Sequence, residues 1–151
     1  GSGNFTFEAW LYLTGGSNDK AIWDCIDWVG TLGQHCFGVD SSSRLFFYFA
    51  DGSNNTLTST ATVASSIWTH VACERVGSTI SFYLNGANAG GGGTCSYNMT
   101  PALTRKIGSS LINTGSAQYL AGRIDDLRIT IGVARYGGPF QVPRFANPVA
   151  F

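Results

Sequence analysis

The stretch of residues 68–89 constrains the fold of this chain more than any other. It contains two turn dipeptides, Gly77-Ser78 and Asn85-Gly86, and Asn-Gly is typical of two-residue β-hairpin turns because both positions tolerate a positive φ. If both turns have two residues, Cys73 lies opposite Phe82 and the paired side chains point to one face of the sheet. The register is self-consistent, so this stretch predicts consecutive antiparallel strands.

Alternating side chains predict further strands on both sides of this hairpin. In residues 4–13, apolar side chains form one face and the other face carries Glu8, Trp10 and Tyr12, which is the period-2 pattern of a strand. The other predicted strands cover residues 21–28, 36–39, 44–50, 57–63 and 123–131. Many short strands with glycine-containing turns favour a single β-sandwich or barrel. For the four glycines at 90–93 we expect a flexible loop.

The low charge of the chain excludes several classes of partner. Only 12% of the 151 residues are charged, nine basic against nine acidic, and the only basic doublet is Arg105-Lys106. Non-specific binding to DNA or RNA depends on basic clusters, so we expect no nucleic-acid partner. No apolar run approaches the roughly 20 residues of a membrane-spanning helix, so we expect no membrane insertion. A weakly charged surface suits a module held in an assembly.

Three motifs, in this order along the chain, resemble one protein superfamily. They are GSGNFTFEAW, WTHVACERVGSTISFYLNG and LAGRIDDLRITIGVARYGGPF. Together they resemble the concanavalin A-like, laminin-G-like jelly-roll superfamily, and GVARY followed by a proline-containing tail is similar to modules of bacteriophage tail and virion proteins. The resemblance implies an all-β, two-sheet antiparallel jelly-roll sandwich over residues 1–138, with a Pro-containing C-terminal tail over residues 139–151.

One departure from the superfamily concerns the start of the chain. Members usually carry an additional strand just before the segment that corresponds to GSGNF, and this sequence does not contain it. We expect either that this strand lies outside the chain or that a neighbouring copy or another segment covers the edge it would pair with. The single methionine is Met99, so the sequence does not begin with an initiator methionine. We therefore also expect these residues to be part of a larger chain or of a homo-oligomer.

Hydrolysis is not expected, because the chain lacks the carboxylates that this chemistry needs. Hydrolytic members of the superfamily use two carboxylates in a Glu-x-Asp-x-Glu spacing on one strand, and a retaining pair lies about 5 to 5.5 Å apart. This chain has only two glutamates, Glu8 and Glu74, on different predicted strands. Asp24 and Asp27 are three residues apart and therefore point to opposite faces of a strand. The sequence predicts no enzyme.

The metal-binding candidate is Asp126, by resemblance. In calcium-binding relatives an aspartate at the position of the second Asp in IDDLRI supplies oxygen ligands, which calcium prefers. A structural calcium ion would then join this strand end to an N-terminal loop. The alternative is that Asp126 caps a turn or pairs with Arg123 or Arg128, and no other cofactor is expected.

The cysteines leave two alternatives open. Cys25 and Cys36 flank one predicted hairpin loop, so they form either a disulfide or two buried free thiols. A zinc site built from these two cysteines with Asp24 and His35 matches no common ligand spacing.

Aromatic side chains away from the core-facing positions are the candidates for binding glycans. Sugars are held by aromatic faces together with amide and carboxylate hydrogen bonds. The alternative is that loops or neighbouring subunits cover these side chains. The candidates are Trp10, Tyr12, Trp23, Trp28 and Tyr48.

The leading hypothesis is a non-catalytic jelly-roll module on a virion surface, which contributes to host-surface glycan attachment or decoration. A second is a purely structural or assembly module of a virion or extracellular filament, with other subunits as partners. The third, a β-glucan-active hydrolase, is disfavoured by the missing carboxylates. An extracellular location is the alternative to the virion surface.

Overall fold

The computed structural model describes residues 3–26, 34–98, 104–110 and 118–144. Within these ranges all regular secondary structure is β-strand, and none of it is a helix that could span a membrane. In chain order the strands are β1 (Phe5–Leu13), β2 (Lys20–Cys25), β3 (His35–Val39), β4 (Arg44–Ala50), β5 (Asn54–Thr62), β6 (Trp68–Val76), β7 (Thr79–Leu84), β8 (Ala87–Asn88), β9 (Gly93–Thr94), β10 (Lys106–Ile107), β11 (Ser109–Ser110), β12 (Gln118–Tyr119) and β13 (Gly122–Ile131).

Two antiparallel sheets pack face to face, which confirms the predicted jelly-roll sandwich. The larger sheet has the strand order β13-β1-β6-β7-β8, with β9 also paired to β7. The smaller sheet has the order β10-β2-β3-β4-β5, and β11 and β12 form a separate short pair. Strand β13 lies at the edge of the larger sheet, next to β1. The additional strand expected before the start of the chain stays a prediction.

The hairpin register predicted from the two turn dipeptides is confirmed. Cys73 lies opposite Phe82 in the β6–β7 ladder. Asn85 and Gly86 both have positive φ, 48° and 78°, as a two-residue turn between β7 and β8 requires. The amide of Ala89 donates to the carbonyl of Phe82 at 2.8 Å, which extends the same register past β8.

Aromatic side chains from both sheets fill the space between them. Phe5 and Phe7 of β1 are fully buried, with ring centroids 4.7 Å apart, and Phe47 of β4 lies 5.3 Å from Phe5 and 6.2 Å from Phe7. Burying large aromatic side chains dominates the stability of such a core. A smaller buried cluster lies on the outer face of the smaller sheet and contains Cys36 and Phe46.

The glycine run at 90–93 packs tightly between the two sheets, so the flexible loop expected there is wrong. The amide of Gly92 donates to the carbonyl of Thr58 in β5 at 3.0 Å. A Cβ atom on Gly91 would lie 2.0 Å from the oxygen of Thr58, and one on Gly92 would lie 2.2 Å from the oxygen of Ile80 in β7. Only glycine allows this close approach with positive φ. The run joins the free edge of the smaller sheet to the larger sheet.

Candidate functional site

The structure does not bring the five predicted glycan-binding residues together. Trp10 and Tyr12 lie on the outer face of the larger sheet, and Tyr48 lies on the outer face of the smaller sheet. Trp28 lies outside the described residues. Trp23 is 9% exposed, with its ring centroid 6.4 Å from that of Phe7 in the core.

The assignment of Trp23 to an outer face was wrong because β2 contains a bulge. The β2–β3 register shifts between Ala21 and Trp23. Ile22 and Trp23 therefore both join the main core, whereas Ala21 belongs to the outer cluster. A bulge adds one residue to a strand and so reverses the alternation beyond it. Trp23 is a core residue.

Three aromatic side chains form an aromatic platform on the outer face of the larger sheet. Tyr12 of β1 lies opposite Trp68 of β6, with ring centroids 5.6 Å apart and ring planes at 58°. Trp10 lies two residues along β1 on the same face and makes an edge contact with His70, at a centroid distance of 5.4 Å. Trp10, Tyr12 and Trp68 are all half-buried.

Sequence reasoning missed Trp68, although a signal for it was present. With the register of the 68–89 hairpin in hand, Trp68 has the same parity as His70 and Glu74, and opposite parity to the core residue Cys73. That parity alone assigns Trp68 to the outer face. Its place beside Tyr12 depends on the β1–β6 pairing, which joins strands that are far apart in sequence.

An arginine borders the aromatic platform. Arg123 of β13 lies opposite Tyr12, and its Cζ atom is 5.5 Å from the centre of the Tyr12 ring. The side chain is exposed, and this ring contact is its side-chain interaction within the described residues. Asp125 follows on the same face, opposite Trp10, and its Oδ1 accepts a hydrogen bond from the amide of Asp126 at 2.8 Å.

The other end of this face is covered by residues 133–144, which we call the C-terminal strap. Two buried glutamates of the sheet hold it. Glu74 accepts hydrogen bonds from the amides of Tyr136, at 3.1 Å, and Gly137, at 2.7 Å. Glu8 accepts one from the Tyr136 hydroxyl and forms an ion pair with Arg135 at 3.0 Å.

Glu8 also contacts two basic side chains of the sheet. His70 Nε2 lies 3.3 Å and Arg128 Nη1 3.4 Å from its carboxylate oxygens. Burial by itself would raise the pKa of Glu8, but the hydrogen bonds from His70 and Tyr136 and the nearby positive charges outweigh it, so the pKa is lowered. Both glutamates of the chain therefore lie buried as acceptors for the strap.

The strap places an aromatic stack next to the platform. The rings of Tyr136 and Phe140 are nearly parallel, with centroids 3.5 Å apart, and Phe140 makes edge contacts with His70 and Tyr83. The amide of Phe140 donates to the carbonyl of Gly86 at 2.9 Å. His70 therefore separates the strap from the platform, and the tail predicted from Pro139 begins within packed structure.

The outer face of the smaller sheet has a different character. Asp24 is fully buried there, and burial raises its pKa to about 7 although the nearby Ser110 and the charge of Lys106 act in the opposite direction. Tyr48, the predicted binding residue, donates from its hydroxyl to Asn54 Oδ1 at 2.8 Å. Burial and the neighbouring Cys36 raise the pKa of Tyr48.

The alternative of a disulfide between Cys25 and Cys36 is not realised. Cys25 lies opposite His35, whereas Cys36 lies opposite Asp24, so the two cysteine side chains leave opposite faces of the smaller sheet. Both are buried, and neither forms a disulfide within the described residues. The four residues considered for zinc are divided in the same way, with Asp24 and Cys36 on one face of the sheet and Cys25 and His35 on the other. The described residues contain no group of three His, Cys, Asp or Glu placed to hold a metal ion.

Asp126, the predicted calcium ligand, occupies a bulge in β13. The β1–β13 register shifts between Glu8 and Trp10, and Asp126 has a φ of 47°. Its side chain is exposed. Within the described residues β13 is an edge strand, and a bulge is a common protection of such strands. Calcium binding here stays a prediction.

The sequence of this chain matches the model of one known superfamily. The profile of the concanavalin A-like lectin/glucanases superfamily matches residues 1–132. The chain belongs to this superfamily. No curated protein sequence matches it.

Several solved structures share the fold of this chain at low sequence identity. A candidate carbohydrate binding protein from Bacteroides ovatus has a TM-score of 0.65 at 19% identity, over 87% of this chain and 38% of that one. The CBM40 of the Ruminococcus gnavus IT-sialidase, bound to α2,3-sialyllactose, has a TM-score of 0.65 at 12% identity, over 85% and 74% of the two chains. Domains LG4-5 of the mouse laminin α1 chain have a TM-score of 0.64 at 10% identity, over 84% and 35%. The chain thus spans well under half of the Bacteroides protein.

Proposed function

We propose that this chain is a non-catalytic glycan-binding module and that the aromatic platform is its binding surface. The observation that carries the proposal is that Trp10, Tyr12 and Trp68 lie half-buried on one sheet face, next to the exposed Arg123. A sugar ring offers an apolar face of C–H groups and a rim of hydroxyls. Aromatic rings bind the apolar face, and polar groups beside them fix the orientation of the rim.

The rigid setting of the platform favours binding. Tyr12 and Trp68 belong to the central strands β1 and β6, and their rings contact each other. Side chains held in this way lose little conformational entropy when a ligand binds. The carbohydrate-binding proteins among the structural neighbours support the proposal at the level of the fold.

A module of this kind acts without chemistry. The two glutamates are buried beneath the strap and accept its hydrogen bonds, so neither faces a sugar bound at the platform. We place the module on a virion surface, where it contributes to attachment to host glycans, on the basis of the GVARY motif and the tail after it. An extracellular protein is the alternative. A structural calcium ion at Asp126 belongs to the same proposal.

A glycan array with the purified chain tests the binding function. Replacing Trp68 by alanine removes a large stacking surface, and we expect about a tenfold or greater loss of affinity, the size expected for losing one stacked aromatic contact. The matched control is Tyr48→Ala, which removes an aromatic side chain from the other sheet. Equal affinity of the Trp68→Ala variant and the wild type, with the fold intact by circular dichroism, would exclude the platform. The absence of any array signal would exclude the function.

A structural or assembly role is the second candidate, and one observation favours it. Ile131 and Val133 are 60% and 57% exposed where β13, the edge strand of the larger sheet among the described residues, leads into the strap. Exposed apolar side chains at a sheet edge suit contact with another chain. Sedimentation of the wild type and of an Ile131→Ser, Val133→Ser variant decides between the roles. A concentration-dependent oligomer that the double substitution dissociates supports assembly.

A further inference from the structure

We infer that the platform selects sugars that carry a carboxylate, and that Arg123 binds that carboxylate. The inference rests on the proposed glycan-binding function and specifies its ligand class. It follows from the position of one guanidinium group relative to the aromatic rings.

Arg123 lies where a substituent of a stacked sugar would extend. Its backbone is paired with that of Tyr12, so the two side chains leave the sheet side by side on the same face. The guanidinium group lies over the Tyr12 ring at 5.5 Å, and Trp68 lies on the other side of Tyr12. A sugar seated on Trp68 and Tyr12 therefore has this group at its rim.

The guanidinium group retains its hydrogen-bonding capacity. Within the described residues, its side-chain contact is the cation–π contact with the Tyr12 ring, and none of its N–H groups donates a hydrogen bond. The other arginines on this face, Arg128 and Arg135, both form ion pairs with Glu8. The planar fork of arginine matches a carboxylate in a bidentate geometry.

Asp125 limits which acidic ligands fit. It lies on the same face two residues from Arg123, opposite Trp10, and its Oδ1 is engaged by the amide of Asp126. A negative charge at the Trp10 end of the platform repels a polyanion that spans the whole surface. The geometry therefore favours a single carboxylate at the Arg123 end, as in a terminal sialic acid or a terminal uronic acid.

Matched neutral and acidic sugars test the inference. The probes are 3′-sialyllactose, its methyl ester and lactose, with methyl β-glucuronide and methyl β-glucoside as the second arm. We expect the wild type to bind at least one acid about tenfold more tightly than its neutral counterparts, the size expected for a charge-assisted hydrogen bond. The arm that shows this preference identifies the sugar as a sialic or a uronic acid.

Variants at position 123 assign the effect to this side chain. We expect Arg123→Gln to abolish the preference for the acid and leave affinity for the neutral sugar within about twofold, and Arg123→Lys to retain part of it because the charge remains. Arg44→Gln, which removes one positive charge from the smaller sheet, is the control. Equal binding of acid and ester by the wild type overturns the inference while the proposed function stands. If array glycans and all probes fail to bind, both are overturned.

Discussion

Each outer face of the sandwich contains a buried carboxylate, Glu8 on the larger sheet and Asp24 on the smaller sheet. The groups around them differ, and their pKa values shift in opposite directions. On the larger sheet, Glu8 receives the Tyr136 hydroxyl, His70 and two arginines, and its pKa is lowered. On the smaller sheet, Asp24 is equally buried, but the combined influence of Ser110, the backbone of Cys25 and the charge of Lys106 does not outweigh burial, and its pKa rises to about 7. The first carboxylate is stabilised as an anion, and the second is stabilised as a neutral acid.

The difference shows that burial alone does not fix the role of a carboxylate in this fold. Because its pKa is lowered, ionised Glu8 stabilises the folded state at pH values above its ordinary pKa of 4.5. This contribution is lost as the pH falls through the pKa that Glu8 has in the folded state. For Asp24 the sign is opposite. Between pH 3.8 and about 7, Asp24 binds more protons in the folded state than in the unfolded state. The contribution of Asp24 to stability is therefore greatest at low pH and declines as the pH rises through that window.

The largest effect expected from this comparison comes from removing Glu8. In Glu8→Ala, the Tyr136 hydroxyl and the buried His70 lose their acceptor and the strap loses an anchor, so we expect a loss of about 3 kcal/mol in the free energy of unfolding. Urea denaturation measures it. The control is Arg44→Ala, which breaks the partly exposed Arg44–Asp40 pair and should cost about 1 kcal/mol or less. Equal losses in the two variants would show that the Glu8 cluster adds no special stability.

Neutralising Asp24 should have the opposite sign. Asp24→Asn keeps the shape of the side chain and removes the buried charge, so at pH 8 we expect a gain on the order of 1–2 kcal/mol. The gain should shrink towards pH 5, where Asp24 of the wild type is already protonated. Thermal unfolding at several pH values tests this. A constant difference between variant and wild type from pH 5 to 8 would contradict the raised pKa.

The smallest effect is expected at Tyr48. In Tyr48→Phe the ring remains and only the hydrogen bond to the exposed Asn54 is lost, so stability should fall by about 0.5–1 kcal/mol. Since this residue lies on the face opposite the platform, glycan affinity should stay unchanged. Chemical denaturation and the glycan array measure the two quantities. A large loss of glycan affinity would move the binding surface to the smaller sheet.

Local patterns predicted a β-sandwich or barrel and part of the candidate site, and the resemblance to the superfamily implied the two-sheet jelly roll. The 68–89 hairpin was predictable with its register because its turn residues and its strand parity agree. Tyr12 and Trp10 were assignable to an outer face by the unbroken alternation of β1. Trp23 was not, because the bulge that turns it inward leaves no mark in the sequence pattern.

The rest of the site depends on contacts between distant parts of the chain. Arg123 reaches the platform only through the β1–β13 pairing, and Glu74 meets Tyr136 only when the strap folds over the sheet. The separation along the chain exceeds 60 residues in the latter pair. Parity places each side chain on a face but says nothing of which neighbours it finds there.

The glycine run at 90–93 has a consequence for how sequences of this kind diverge. Its composition is typical of a linker in which any small residue would be tolerated. Its backbone nevertheless occupies the space between β5 and β7, where even a methyl group on Gly91 or Gly92 would overlap a carbonyl oxygen. A comparison that discounts repetitive residues as uninformative would therefore discard some of the most tightly restricted positions in the chain.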